Sequence, residues 1–394
     1  MLMKIEKIIA ANSVLFAIVI AETNICSIIN TFIKIPMISV ILMGITICAL
    51  LLVNRELLKI DKRVIVSYIF ICLLLVFSML LNGLEVAGDR FLYYITFGTS
   101  AVLAINSRFD IVRVFHYLIY LYIIQLIVYL LFQRSAMLSS EEYGTLQIGL
   151  VYSLLPGLNI AFACILFHDE FLSGKKLLFG LSIVAFVGCL FVVLFDCYSR
   201  GGLLSTIICM MLLSWKKMGK FFKFFFICAI GSFIALFLTN SDTLLISALD
   251  NFSGSSIRSL SKLSWMYEKG DVTNGRNDLY VAAVKLIKDN PALGYGVGYF
   301  EKINGLSYPH QFFLEIMCEF GVLGLFIFFL PILKSFVLAF KEKSIILSQF
   351  RMVLLVSSFF PLMFSSSLWL FPLFWVAYFY SIKNTKINLA LKGA

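Results

Sequence analysis

Long apolar runs alternate with short polar breaks along most of this chain. The runs are about 18 to 22 residues long, enough for a helix to cross a hydrocarbon layer of about 30 Å. Read this way, spans fall near residues 8–29, 35–53, 64–81, 91–105, 112–132, 146–167, 177–195, 198–215, 221–239, 310–332, 345–363 and 365–381. The pattern predicts an all-α, polytopic membrane protein of about 12 transmembrane helices. Only one break is long, residues 240–309, and a connection longer than about 15 residues is usually functional or disordered. This one contains aromatics and is not of low complexity, so it is expected to carry structure. The expected organisation is 1–239 for helices 1–9, 240–309 for a large loop containing an amphipathic helix, and 310–394 for helices 10–12 and a tail.

Inside the loop, 243–249 has the make-up of a short surface helix, and 253–261 is serine-rich. Further on, Asn277 or Asp278 can cap a helix on which Leu279, Ala283, Leu286 and Ile287 share a face. Asn290-Pro291 ends it. The run GYGVGYF at 294–300 reads as a turn that needs glycine for backbone freedom. It lacks the preceding strand and following helix of a dinucleotide fingerprint. In the sixth span, Pro156-Gly157 predicts a bend, and Asn159 can supply a polar contact.

Composition agrees with the pattern: 61% of residues are hydrophobic and 14% charged, where soluble domains carry about 25% charged residues. The net charge of +10 would suit a nucleic-acid partner, but its distribution removes that reading. Arg55, Lys59, Lys62 and Arg63, then Lys216, Lys217, Lys220 and Lys223, fall in breaks on one side of the membrane. By the positive-inside rule that side is cytoplasmic, which places both termini there and the 240–309 loop outside. The first apolar run lacks a small-residue cleavage site, so it reads as a span and not as a removed signal. The nine cysteines lie in or beside apolar runs with no CxxC pair, as small buried hydrophobes do.

Candidate chemistry gathers between 274 and 330, with one outlier. Arg200, in SRGG, opens the eighth span at its outer end. It either anchors a helix end or binds an anion, with a guanidinium fork and free helix N–H groups aimed the same way. Arg276, in NGRND, offers the same pair of effects, or a solvated partnership with Asp278 or Asp271. His310 is the one histidine of three on the outer side, either interfacial or a general base. Glu315 and Glu319 stand four apart on the next helix, so they share a face that should look into a protein cavity. Gly321 and Gly324 beyond them suit close helix packing. Glu22 is a further acid within an apolar span, with no evident partner. No histidine or cysteine cluster has metal-ligand spacing, and no DxD pair or GxSxG elbow occurs.

Taken in order, these segments resemble the O-antigen ligase and polymerase superfamily. They are Ser-Arg-Gly-Gly from Ser199, Gly-Arg-Asn-Asp-Leu-Tyr around Arg276, Asn-Pro-x-Leu-Gly-Tyr-Gly from Asn290, and Pro-His-Gln-x-x-Leu-Glu-x-x-x-Glu-x-Gly-x-x-Gly from Pro309. The resemblance covers about 199–325. That family usually has His-Asn where this chain has His310-Gln311. The resemblance implies a GT-C-like glycosyltransferase of the inner (plasma) membrane that uses a polyprenyl-diphosphate-linked glycan and no metal, nucleotide sugar or other cofactor. It implies a diphosphate held by Arg200 and Arg276, and an acceptor hydroxyl assisted by His310 or by a carboxylate such as Glu315, with Glu319, Ser199 and Gln311 in support. The partners it implies are the undecaprenyl-diphosphate-linked glycan, membrane lipid and, as an option, a chain-length regulator protein. Polymerisation of O-antigen or capsule repeat units is the preferred reading. Ligation of finished polymer to lipid A-core is the nearest rival. A lipid-linked oligosaccharide flippase is a more distant one, since it would call for a charged central pathway.

Overall fold

The computed structural model describes residues 2–55, 58–135, 145–197, 199–224, 276–305 and 307–383. These residues form helices and connecting turns, with no strand among them. In chain order the helices are α1 (Leu2–Ile20), α2 (Glu22–Phe32), α3 (Ile38–Val53), α4 (Lys62–Asn82), α5 (Glu85–Asn106) and α6 (Ile111–Val128). Next come α7 (Thr145–Leu166), α8 (His168–Leu172), α9 (Lys176–Phe191) and α10 (Arg200–Ser214). The series ends with α11 (Asn277–Asp289), α12 (Tyr299–Ile303), α13 (Phe312–Gly324), α14 (Leu330–Lys341), α15 (Ile345–Phe364) and α16 (Pro372–Ile382). Single π turns continue α6, α9 and α13. Polar residues start several of these helices: Asp61 accepts from Arg63 N, Asp110 from Val112 N, and Ser344 from Leu347 N, satisfying amides that the first helical turn leaves free.

Among the described residues, 6 helices are long and apolar enough to cross a membrane, or 7 if a bent pair counts as one span. That pair is α1 and α2, which meet at 73°. The expected first span, 8–29, is therefore broken at Ala21. The helix expected at 310–332 starts at Phe312 and continues through Lys341. The helix expected at 365–381 shrinks to α16, because the chain first makes a 3-10 turn at Leu368–Leu370. Pro156 lies inside α7, which runs on through it. Asn159 donates to Ser357 across the bundle at 2.9 Å. The features expected at 243–249 and 253–261, and most of the span at 221–239, lie outside the described residues.

The core is aromatic, built around Phe16, Tyr94, Tyr122, Phe312, Trp369 and Trp375. Polar contacts collect at two levels. At one, Asn12 pairs with Asn54, Asn106 accepts from Asp61 N, and Lys383 donates to Ile105 O. At the other, Asn82 donates to Tyr295 O and Val297 O, Arg134 clasps Asp196, and Arg276 reaches Phe364 O. Helices of alternating direction deliver their ends to the two levels in turn, and Arg276, His310, Glu315 and Glu319 come to the second.

Candidate functional site

The second polar level is organised by a short segment, Phe364 to Trp369. Helix α15 ends at Phe364, and Ser365 follows as its C-cap with extended φ of −164°. The backbone released there has carbonyl oxygens to offer. Arg276 donates from Nη1 to Phe364 O at 2.5 Å and from Nη2 to Ser365 Oγ at 3.3 Å. Tyr308 donates to Ser365 O at 2.8 Å, and His310 Nδ1 lies 3.1 Å from the same oxygen. A carbonyl can only accept, so Nδ1 carries the hydrogen and neutral His310 keeps its lone pair on Nε2. The rings of Tyr308 and His310 lie 3.9 Å apart. His310 has φ of +56°, a left-handed conformation that is uncommon away from glycine.

The two glutamates grip the same segment from below. Ser367 Oγ donates to Glu315 Oε1, and Leu368 N donates to Oε2 at 3.3 Å. Trp369 Nε1 donates to both oxygens of Glu319, at 2.9 and 3.1 Å. Both carboxylates are buried. They share a helix face, as their spacing predicts, but in place of the expected cavity that face meets the Ser367 hydroxyl, the Leu368 amide and the Trp369 indole.

The glycine run fixes the loop against α13. Gly321 breaks that helix with φ of +58°. Across the break, Tyr295 N donates to Cys318 O at 2.9 Å, Gly296 N to Glu319 O at 2.8 Å, and Val322 N to Pro291 O at 2.8 Å. A Cβ on Gly294 would lie 2.5 Å from Glu319 C, and one on Gly321 would lie 2.3 Å from Ala292 C. Both glycines are required by backbone-to-backbone approach. For Gly321 this replaces the helix packing expected from the sequence. Upstream, α11 packs Ala283 and Leu286 inward, with Leu279 and Ile287 against them, as expected. Neither Asn277 nor Asp278 caps it: Arg276 occupies the N-cap position and turns its side chain to Phe364 instead.

Burial holds the His310 imidazole below its ordinary range. The bond to Ser365 opposes this, and nearby Arg276 adds to it. Tyr308 is pushed up to about 12 by burial and by Glu315. Burial also raises the Glu301 carboxyl, against its own backbone bond and Arg90, whose guanidinium stands 3.6 Å away.

Of the residues expected at the site, Arg276 and His310 meet at Ser365. Ser199 caps α10 by accepting from Gly202 N at 3.1 Å, and Gln311 caps α13 by accepting from Leu314 N at 2.7 Å. Arg200 is the first residue of α10, and its side chain lies outside the described part. The start of that helix nevertheless joins the site, because a Cβ on Gly201 would lie 2.7 Å from Phe364 Cβ and 2.8 Å from the Tyr152 hydroxyl. Sequence reasoning missed Phe364–Ser367, Tyr152, Tyr308, Glu301 and Arg90. The triple serine after Pro361 was the one available signal. The site can therefore hold an anion between a guanidinium and a helix N-terminus, beside an oriented neutral imidazole. Among the described residues, no group of three or more His, Cys, Asp or Glu could hold a metal ion.

Residues 184–329 match the family model Wzy_C, described as O-antigen ligase. The match takes in Ser199, Arg200, Arg276, His310, Glu315 and Glu319 and stops before Phe364. It is consistent with the O-antigen ligase and polymerase superfamily, points to that type of function, and does not separate ligase from polymerase. No curated protein matches the chain.

Proposed function

We propose that this chain, with its O-antigen ligase domain at residues 184–329, is a polymerase that joins undecaprenyl-diphosphate-linked repeat units into O-antigen or capsular polysaccharide. The observation that carries this reading is the convergence of Arg276, His310 and the start of α10 on Phe364 and Ser365. In the reaction, an acceptor hydroxyl attacks the anomeric carbon and the C–O bond to the lipid diphosphate breaks. The hydroxyl proton goes to His310 Nε2, and the bond electrons stay on the diphosphate. Charge growing there is met by Arg276, by Arg200 and by the α10 amides. Arg276 has five N–H donors and spends one on Phe364 O and one on Ser365 Oγ, so three remain. One preorganised donor of this kind is worth about 3 to 4 kcal/mol. Glu315 and Glu319 shape the Ser365 turn and do not reach the substrate.

The topology we infer has twelve spans, the 240–309 loop on the outer face of the inner membrane, and both termini in the cytoplasm. No metal takes part. Membrane lipid surrounds the enzyme, and a chain-length regulator is a candidate partner. The second reading, transfer of finished polymer to lipid A-core, draws on the description of the matched family. Deleting the gene and analysing the glycan distinguishes the two. A single repeat unit left on its acceptor supports the polymerase, accumulation of lipid-linked polymer supports the ligase, and an unchanged glycan overturns both.

A further inference from the structure

Helix α2 is built inside out. Its buried residues are Glu22, Asn24 and Cys26, while Phe32 is 59% exposed. Such a helix suits a hydrocarbon surround only if the protein behind it is polar. At 100° per residue, Asn24, Ser27 and Thr31 share one face, and Glu22 and Cys26 lie on the other. Glu22 is engaged on its own side, accepting from Ser39 Oγ and from Cys26 Sγ at 3.2 Å.

The Asn24 face meets α6. Gln125 Nε2 donates to Ser27 Oγ at 3.4 Å, and Gln133 Nε2 donates to Thr31 Oγ1 at 2.6 Å. Gln133 also lies 3.4 Å from Ser27 Oγ, so both glutamines reach one serine. They are eight residues apart, about 12 Å along a helix, and a regular helix would turn them roughly 80° out of line. The π turn at Tyr129–Gln133 winds more slowly and returns Gln133 to the common face.

This seam is polar beyond what holding two helices requires. Gln125 Oε1, Gln133 Oε1 and both amide atoms of Asn24 are buried and have no hydrogen-bond partner among the described residues. The Asn24 and Gln125 side chains are fully buried. An unpaired buried polar group costs stability, so an apolar seam would hold α2 better. At its outer end the seam runs into Arg134, which clasps Asp196 through bonds of 2.8 and 3.1 Å, just before Ser199 and α10. The unsatisfied groups include acceptors and a donor. No Lys, Arg or His is among the seam residues, so it does not select phosphate. It matches a neutral ligand whose O–H groups both donate and accept.

We propose that the α2–α6 seam is a saccharide subsite, which takes hydroxyls of the lipid-linked glycan when α2 parts from α6 on the 73° joint at Ala21. The proposal rests on the glycan-transfer reading above for the identity of the ligand. The test uses full-length protein purified in detergent and two probes. One is the oligosaccharide lipid that accumulates in host cells lacking the gene; the other is bare undecaprenyl diphosphate. Asn24→Leu and Gln125→Leu are expected to weaken the oligosaccharide lipid about tenfold or more, to leave the bare lipid unchanged, and to keep or raise the unfolding midpoint. Arg276→Lys weakens both probes. Equal affinity of wild type and seam variants for the oligosaccharide lipid overturns the subsite and leaves the glycan-transfer reading intact. Failure of the wild type to bind either lipid removes that reading, and the subsite with it. Ser27→Ala, which takes away the hydroxyl shared by both glutamines, gives the same comparison should a leucine variant not fold.

Discussion

Gly294→Ala tests whether the glycine run is a backbone joint. Gly294 has φ of +65°, and an added Cβ would lie 2.5 Å from Glu319 C and Phe320 N and 2.7 Å from Cys318 O. These are backbone atoms of α13, so the loop must lift away. Lifting breaks the bonds from Tyr295 N to Cys318 O and from Gly296 N to Glu319 O. Two such bonds contribute about 0.5–1.5 kcal/mol each, and a side chain in left-handed backbone costs a further 1–2 kcal/mol or so. The expected loss is about 2–5 kcal/mol on those two grounds. Gly305 is the internal control. Its φ is +63°, but among the described residues nothing lies within 4 Å of an added Cβ, so Gly305→Ala carries the backbone penalty alone, about 1–2 kcal/mol. Unfolding midpoints of the purified proteins in detergent, with polymer ladders from complemented deletion cells, compare the two. Gly294→Ala should fall well below Gly305→Ala and lose polymer. Equal midpoints for the two variants would refute the joint.

Arg276→Lys is expected to abolish most polymer although charge is kept, because a single ammonium nitrogen lacks the planar fork whose two terminal nitrogens reach Phe364 O and Ser365 Oγ separately; near-normal ladders would remove Arg276 from the diphosphate site. His310 serves as a base only when neutral, and burial lowers its pKa. Activity should therefore fall only as pH drops below the ordinary histidine value of about 6.5, and His310→Ala should insert normally yet lack that acid limb together with most activity. A limb at or above that value in the wild type would contradict the assignment. Polymer formation in purified membranes should survive EDTA, since cationic side chains meet the leaving charge; a requirement for added divalent metal would count against this.

Residue type and spacing made part of the site legible. A fork of donors, a titrating ring and two acids at i and i+4 can be read from a string of letters, and the structure brings Arg276 and His310 to one residue, Ser365. What the glutamates hold could not be read, because Ser367 and Trp369 lie 52 and 50 residues further on. The receiving segment was missed because its chemistry is largely backbone, and carbonyl oxygens have no letter. The same limit explains the glycines: their need for conformational freedom was legible, whereas the approach of α13 that demands it was not. The break at Ala21 is hidden for another reason. Hydropathy runs on from α1 into α2, and only the polar face of α2 shows that the chain has turned.

The family match ends at residue 329, so the backbone that positions its arginine and histidine is supplied by a hairpin outside it. If Glu315 works by holding that hairpin, two neighbouring serines should behave differently. Ser365→Ala removes one long bond from Arg276 and keeps both carbonyls that Arg276, Tyr308 and His310 use. It should retain nearly all activity and stability. Ser367→Ala takes the donor from Glu315 Oε1 and leaves a buried carboxyl oxygen without a partner. A buried acceptor left unpaired costs about 1–3 kcal/mol, so its unfolding midpoint should drop. Its polymer yield should fall with the loosened Ser365 carbonyl. Measured side by side, the reverse order would mean that the Ser365 hydroxyl itself handles substrate. Wild-type behaviour from Ser367→Ala would show that the grip of Glu315 on the turn contributes nothing to the placement of His310.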